Sequence, residues 1–328
     1  MSGFPLVVAQ VLIAVALVAV GALYVRVFLG RWSATPRRVP LRAHDRAAAR
    51  SRPVTVRPDI FARDPEQRLE AFRELERLAH RNPAQRQRFV GQVLAQLPFH
   101  GWSELPDWHA RLWAFVLPHL RPDEPEFWPG IAVRVERTVL RDLDLSGCEI
   151  RALAFERVRC TGTTRFTRTV FTGNVTFEDS CFAGHVRFRG AEFRGAVNFG
   201  QVTFAGTAAF PGVTVAGSAG FRQARFSGLT DFTGARFAGP FDAVAAGFAG
   251  RTSFRDTQFA ATAEFAEARF TGHADFTGSS FVDRPGLARA WARTDWYALR
   301  SWPPGWSPGA EDITLPKRPG RWAALHDG

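Results

Sequence analysis

The sequence predicts a mainly β fold, a coil of short strands stacked on one another, and three observations predict it. From Cys160 to Phe281 one position recurs at alternating steps of six and five residues. It reads Cys160, Phe166, Phe171, Phe177, Phe182, Phe188, Phe193, Phe199, Phe204, Phe210, Val215, Phe221, Phe226, Phe232, Phe237, Ala243, Phe248, Phe254, Phe259, Phe265, Phe270, Phe276 and Phe281. Two residues before these positions stands a small or β-branched residue, as at Val175, Val186, Val197, Val202, Ala208, Ala219 and Ala263. Two residues after them Gly is frequent, as at Gly184, Gly206, Gly228 and Gly250, where a corner needs unusual dihedrals or close approach.

The period matches neither a helix at 3.6 nor a continuous strand at 2. A large and a small residue two apart point to the same side of an extended segment, so each unit is a short strand followed by a turn. A fixed period means that each unit buries its face only against its neighbours. The Phe side chains then fill the interior and leave no lumen, at about 1.5–3 kcal/mol of gross stabilisation for each buried ring.

Upstream the spacing is a strict five, through Leu140, Leu145, Ile150, Phe155 and Cys160, with Asp144-Leu145-Ser146-Gly147 as a well-formed unit. Residues 140–281 resemble the pentapeptide-repeat family, whose units follow A-(D/N)-(L/F)-x-x, and the alternating five/six part resembles an 11-residue variant of it. The resemblance implies a right-handed quadrilateral β-helix of about 20 residues per coil. On four sides Phe177 lies under Phe199, Phe221, Ala243 and Phe265, and Phe166 heads the column Phe188, Phe210, Phe232, Phe254 and Phe276. The ladder residues are structural, so the motif speaks for fold rather than function.

Ahead of the solenoid the chain divides into three parts. Residues 1–29 hold a 21-residue apolar run, Pro5 to Val25, long enough for a transmembrane helix. No Lys or Arg precedes it and an Arg-rich run follows, which predicts a single-pass cell-membrane protein with its N-terminus outside and its bulk cytoplasmic. Arg26, Arg31, Arg37 and Arg38 are candidate contacts to lipid headgroups. Residues 30–62 read as a basic, Pro-rich juxtamembrane linker. Residues 63–132 read as a small helical domain. Asp64 caps and Pro65 opens a helix that Asn82-Pro83 ends, a second runs over Ala84 to Leu97, and a third over Leu105 to Leu120. The Pro-rich, acidic stretch 121–132 leads into the solenoid, residues 133–284, and helps cover its first coil.

Within the solenoid Gly239-Pro240-Phe241-Asp242-Ala243 interrupts the ladder, and a small local slip would swing Phe241 into the place of Ala243. Beyond it, residues 285–328 read as a C-terminal helical cap, from the amphipathic stretch Leu287 to Leu299, followed by a tail with Trp302, Trp306 and Trp322.

Composition narrows the function. The net charge is +11, yet residues 140–281 carry 15 Arg against 13 Asp plus Glu, so the solenoid is near neutral and the excess lies elsewhere. Cys148, Cys160 and Cys181 have neither metal-ligand spacing nor a disulfide framework, and Cys160 takes a buried ladder position. His80, His100, His109 and His119 are scattered, so no metal or cofactor is expected. Glu104, Asp107 and His109 have nothing to place them in a cleft, and no P-loop, Rossmann glycine pattern, HExxH or GxSxG occurs. Asp231, Asp242, Asp256, Asp275 and Glu264 face outward as solvent-side residues. No catalytic residue is expected and the chain reads as a non-enzyme. The reading is a membrane-anchored scaffold with lipids and an unidentified protein as partners, monomeric or weakly self-associating. Nucleic acid is not an expected partner. The alternative that the resemblance supplies is a DNA-mimicking protector of DNA gyrase, which needs an acidic rod. A third is an envelope or signalling partner that binds through its helical segment.

Overall fold

The structure, a computed structural model, describes residues 59–98, 107–315 and 319–327. Among the described residues three helices precede the strands: α1 (Pro65–Arg81), α2 (Arg86–Leu94) and α3 (Trp108–Val116). Asp64 Oδ1 accepts from the Glu66 amide at 3.1 Å and Pro65 occupies the first turn of α1. Asn82 closes α1, and its side chain opens the short 3-10 turn Pro83–Gln85 that leads into α2. Phe72, Phe89, Val93, Trp108, Leu112 and Val116 form the apolar side of this segment, continuous with the core of the solenoid.

The rest is a mainly β, right-handed solenoid of four sheets. Face 1 begins at Ala132–Glu136, face 2 at Val139–Arg141 and face 4 at Glu149–Ile150; face 3 has only the Asp144 bridge on the first coil, and its first strand, Thr163–Arg165, comes one coil later. Within the solenoid every neighbouring pair of strands on a face runs parallel. Register measures the coil. Ala132 pairs with Ala152, a step of 20 residues; Glu149 pairs with Val170, a step of 21; Phe155 pairs with Phe177, a step of 22. The coil thus widens as the strict five gives way to alternating five and six.

The two lengths of unit make two kinds of corner. From Arg168 to Arg289 a residue with positive φ recurs every 11 residues, at Arg168, Asp179, Gly190, Gln201, Gly212, Gln223, Gly234, Ala245, Asp256, Glu267, Gly278 and Arg289. Each stands two residues after a ladder position, in a five-residue unit. Val213 N–H bonds the Phe210 carbonyl at 3.3 Å around Pro211 and Gly212 (φ +64), the arrangement of a type II turn. The six-residue units turn instead on stacked glycines of ordinary φ. A Cβ on Gly206 would lie 2.5 Å from the Gly184 carbonyl oxygen, and one on Gly228 2.5 Å from that of Gly206.

Inside, the rings stack in columns. Phe166, Phe188, Phe210, Phe232, Phe254 and Phe276 follow one another at 4.6–5.0 Å with planes within 15°. Phe182, Phe204, Phe226, Phe248 and Phe270 do so at 4.7–5.3 Å. Every Phe of the ladder is buried except Phe281, which is partly so.

Both ends are closed. At the first coil the Gln87 side chain acts as a strand edge: its Nε2 donates to the Ala132 carbonyl at 2.9 Å and its Oε1 accepts from the Ala132 amide at 2.8 Å. The Glu149 and Arg151 amides donate to the Leu120 and Ile131 carbonyls, both at 2.7 Å. At the last coil Trp302 and Trp306 lie over Phe270, Phe276 and Phe281.

Three expectations are corrected. The C-terminal cap is not helical. Leu287 takes the next ladder position, Arg289 the next positive-φ corner and Ala292 the place above Phe270, so the coil runs on with smaller residues, and the strand Trp291–Arg293 is closed by the antiparallel strand Trp322–Asp327. Phe241 makes no slip, because Ala219, Phe241 and Ala263 stay in register. The membrane anchor is the third correction. Among the described residues no helix is long and apolar enough to cross a membrane. The 17-residue α1 rises only about 26 Å against a hydrocarbon core of about 30 Å, and it carries Glu66, Arg68, Glu70, Arg73 and Glu74. Pro5 to Val25 and the headgroup candidates Arg26, Arg31, Arg37 and Arg38 lie outside the described residues. The single-pass placement, the cytoplasmic bulk, the lipid partner and the anchored form of the scaffold are withdrawn with it.

Candidate functional site

With the rings turned inward, what the solenoid offers to other molecules is its outward residues, one between each small residue and its Phe. On face 2 these are Arg159, Cys181, Thr203, Arg225, Gly247 and Arg269, held in register coil by coil. Gly247 has no side chain and stands between two arginines, while the corner residue beside it is only Ala245. Two open hollows lie along this face and share Gln223 and Arg225; the gap at Gly247 opens into the second. One reaches back to Asp179, Cys181, Gln201 and Thr203, the other forward to Gly247, Arg269 and Thr271. Arg225 is exposed, and one guanidinium N–H of Arg269 donates to the Ala245 carbonyl at 3.2 Å.

The outward acids are spent on corners. Asp231, Asp242 and Asp275 each accept, through Oδ1, the amide two residues on, at 2.9, 3.0 and 3.0 Å. Asp242 also pairs with Arg222 at 3.1 Å and Asp275 with Arg255 at 3.4 Å, across adjacent coils. Asp256 is itself a positive-φ corner and Glu264 is exposed. None of them converges on another as an acid/base pair would. His109 bonds the Leu97 carbonyl at 3.1 Å, and Glu104 and His100 lie outside the described residues. Burial pushes the thiols of Cys148 and Cys160 up to about 12, so neither is a nucleophile at neutral pH.

A corner-capped coil of five- and six-residue units, with one large inward residue per unit, is the geometry the repeat demands. The family model described as "Pentapeptide repeats (9 copies)" matches residues 145–192. Those residues are similar to pentapeptide repeats. The pentapeptide-repeat match covers the rungs where the coil passes from strict fives to alternating fives and sixes. Among solved structures HetL, a pentapeptide repeat protein involved in heterocyst differentiation regulation from the cyanobacterium Nostoc sp. strain PCC 7120, matches at 12% identity. That match covers 48% of this chain and 88% of HetL, with a TM-score of 0.17, too low to bear on function. The search of curated proteins finds no match. The matched repeat residues are spent on packing and on corners, and among the described residues of the solenoid no catalytic constellation is assembled.

One convergence was not foreseen from the sequence. Glu76 and His80 on α1 meet His119 and Glu126, with one possible ligand atom from each residue, all within 4.8 Å of one another. The signal was the four-residue step from Glu76 to His80, which puts both on one side of a helix. The other two residues lie about 40 positions on, so only folding brings them near.

Proposed function

We propose that this chain is a non-catalytic scaffold whose pentapeptide-repeat solenoid presents a rigid face to a protein partner. The observation that carries the reading is the solid aromatic interior. Rings stacked through the coils fix the spacing of the outward residues, so a partner meets a surface that needs no ordering on binding. Face 2 is the face proposed for contact, because Arg225 and Arg269 flank the gap at Gly247 and offer two cations two rungs apart to an acidic segment. The near-neutral solenoid disfavours a DNA mimic, which needs acidic faces throughout.

Affinity capture with the full chain tests this. Arg225→Glu is expected to lose the partner that the unaltered chain recovers, while Arg187→Glu, on face 3, retains it. Recovery of the same partner by both variants would remove face 2 from the account, and recovery of none by the unaltered chain would remove the scaffold reading.

A further inference from the structure

We propose that Glu76, His80, His119 and Glu126 bind a divalent transition-metal ion, zinc in the first instance, which clamps the helical segment to the entrance of the solenoid.

The four residues come from three places. Glu76 and His80 lie one turn apart on α1, His119 ends the 3-10 turn Leu117–His119, and Glu126 lies in the stretch that carries Trp128 to the first coil. His119 is fully buried and stacks on the Trp128 indole at 3.5 Å with the planes 4° apart. Its Nδ1 lies 2.8 Å from the Glu126 carbonyl oxygen. A carbonyl only accepts, so Nδ1 carries the hydrogen and Nε2 is the nitrogen turned to the cluster. A ring nitrogen tied to a carbonyl in this way is the outer support that a metal-bound histidine uses.

The Glu76 carboxylate is already 2.9 Å from His119 Nε2. Two ligands of a tetrahedral zinc with bonds of about 2.0–2.1 Å stand about 3.3 Å apart, so this edge needs only a small adjustment. The His80 ring is edge-on to His119 at 5.3 Å and to Trp128 at 5.1 Å. His80 and Glu126 are exposed, free to rotate inward and to admit an ion from solvent. Two imidazoles and two carboxylates are a borderline donor set suited to zinc, where calcium and magnesium want oxygen alone. The two carboxylates neutralise a divalent ion. Arg86 lies over the Trp128 ring at 5.2 Å. A Glu76–His119 pair alone would need neither His80 nor Glu126 beside it.

The test is titration of the chelator-stripped full chain with zinc chloride, followed by calorimetry and thermal melting, with cobalt(II) absorption as a report on geometry. The expected result is one ion per chain, a melting point that rises with zinc, and a tetrahedral cobalt spectrum. His80→Ala and Glu126→Gln, both exposed positions, are each expected to weaken zinc binding at least ten-fold, with the zinc-free melting curve of each variant showing that it is folded. Absence of stoichiometric binding overturns the proposal. So does binding of equal strength in both variants, which would assign the ion to other histidines of the chain.

Discussion

Phe241 and Ala243 exchange size without exchanging register. Phe241 occupies the slot of the small residue, its ring 5.4 Å from Phe221 and 5.3 Å from Phe265, while Ala243 lies fully buried in the slot of the Phe. The volume of the rung is conserved, which is the substitution a close-packed core tolerates. Phe241→Ala is therefore expected to cost about 3–5 kcal/mol in urea unfolding, as a Phe cavity does. The double variant Phe241→Ala/Ala243→Phe restores the regular order and is expected to recover most of that loss; if it is no more stable than the single variant, the exchange account fails. The thiols give a second check at this scale. Cys148 and Cys160 are buried and Cys181 is only partly so. A thiol reagent at pH 8 is expected to label Cys181 well before the other two, with all three reacting after denaturation.

At the scale of the unit, the two corners make different demands on glycine. Gly212 has positive φ and open space where a Cβ would go, while Gly206 has ordinary φ and the Gly184 carbonyl in the way. The positive-φ corners tolerate Arg, Asp, Gln, Glu and Ala, because the amide of the corner residue donates to the next coil, as Gln201 does to the Arg222 carbonyl at 2.8 Å. Left-handed backbone costs an L-residue about 1–2 kcal/mol. Gly212→Ala is expected to lose about that much. Gly206→Ala forces two coils apart and is expected to lose more, measured as the difference in unfolding free energy between the two variants. Equal losses would mean that the stacked corner can open at little cost.

At the scale of the whole chain, a stack of coils has two ends that must be stopped. The Gln87 amide and the 120–131 stretch close one; Trp302, Trp306 and the antiparallel strand Trp322–Asp327 close the other. A bare rung of Phe rings with unpaired strand edges is a template for further stacking. Removal of residues 302–328 is accordingly expected to produce concentration-dependent association in sedimentation velocity. A truncated chain that sediments as the intact one does, at matched concentration, would show that the last coil needs no cover.

The sequence by itself determined the solenoid, its inward ladder, the vertical columns and the helical segment with its Asp64 and Asn82 stops, since each is written in local spacing that repeats. It did not disclose the last coil, because Leu287 and Ala292 stand where Phe had marked the period and Trp302 fills the space that Ala292 leaves. It did not separate the two corner types, since glycine is spelled alike whether it supplies positive φ or merely lacks a Cβ. Nor did it disclose the gathering of Glu76, His80, His119 and Glu126, or the gap at Gly247. Those depend on which residues lie one coil apart or across a helix interface, a distance fixed by tertiary packing and carried by no periodic signal along the chain.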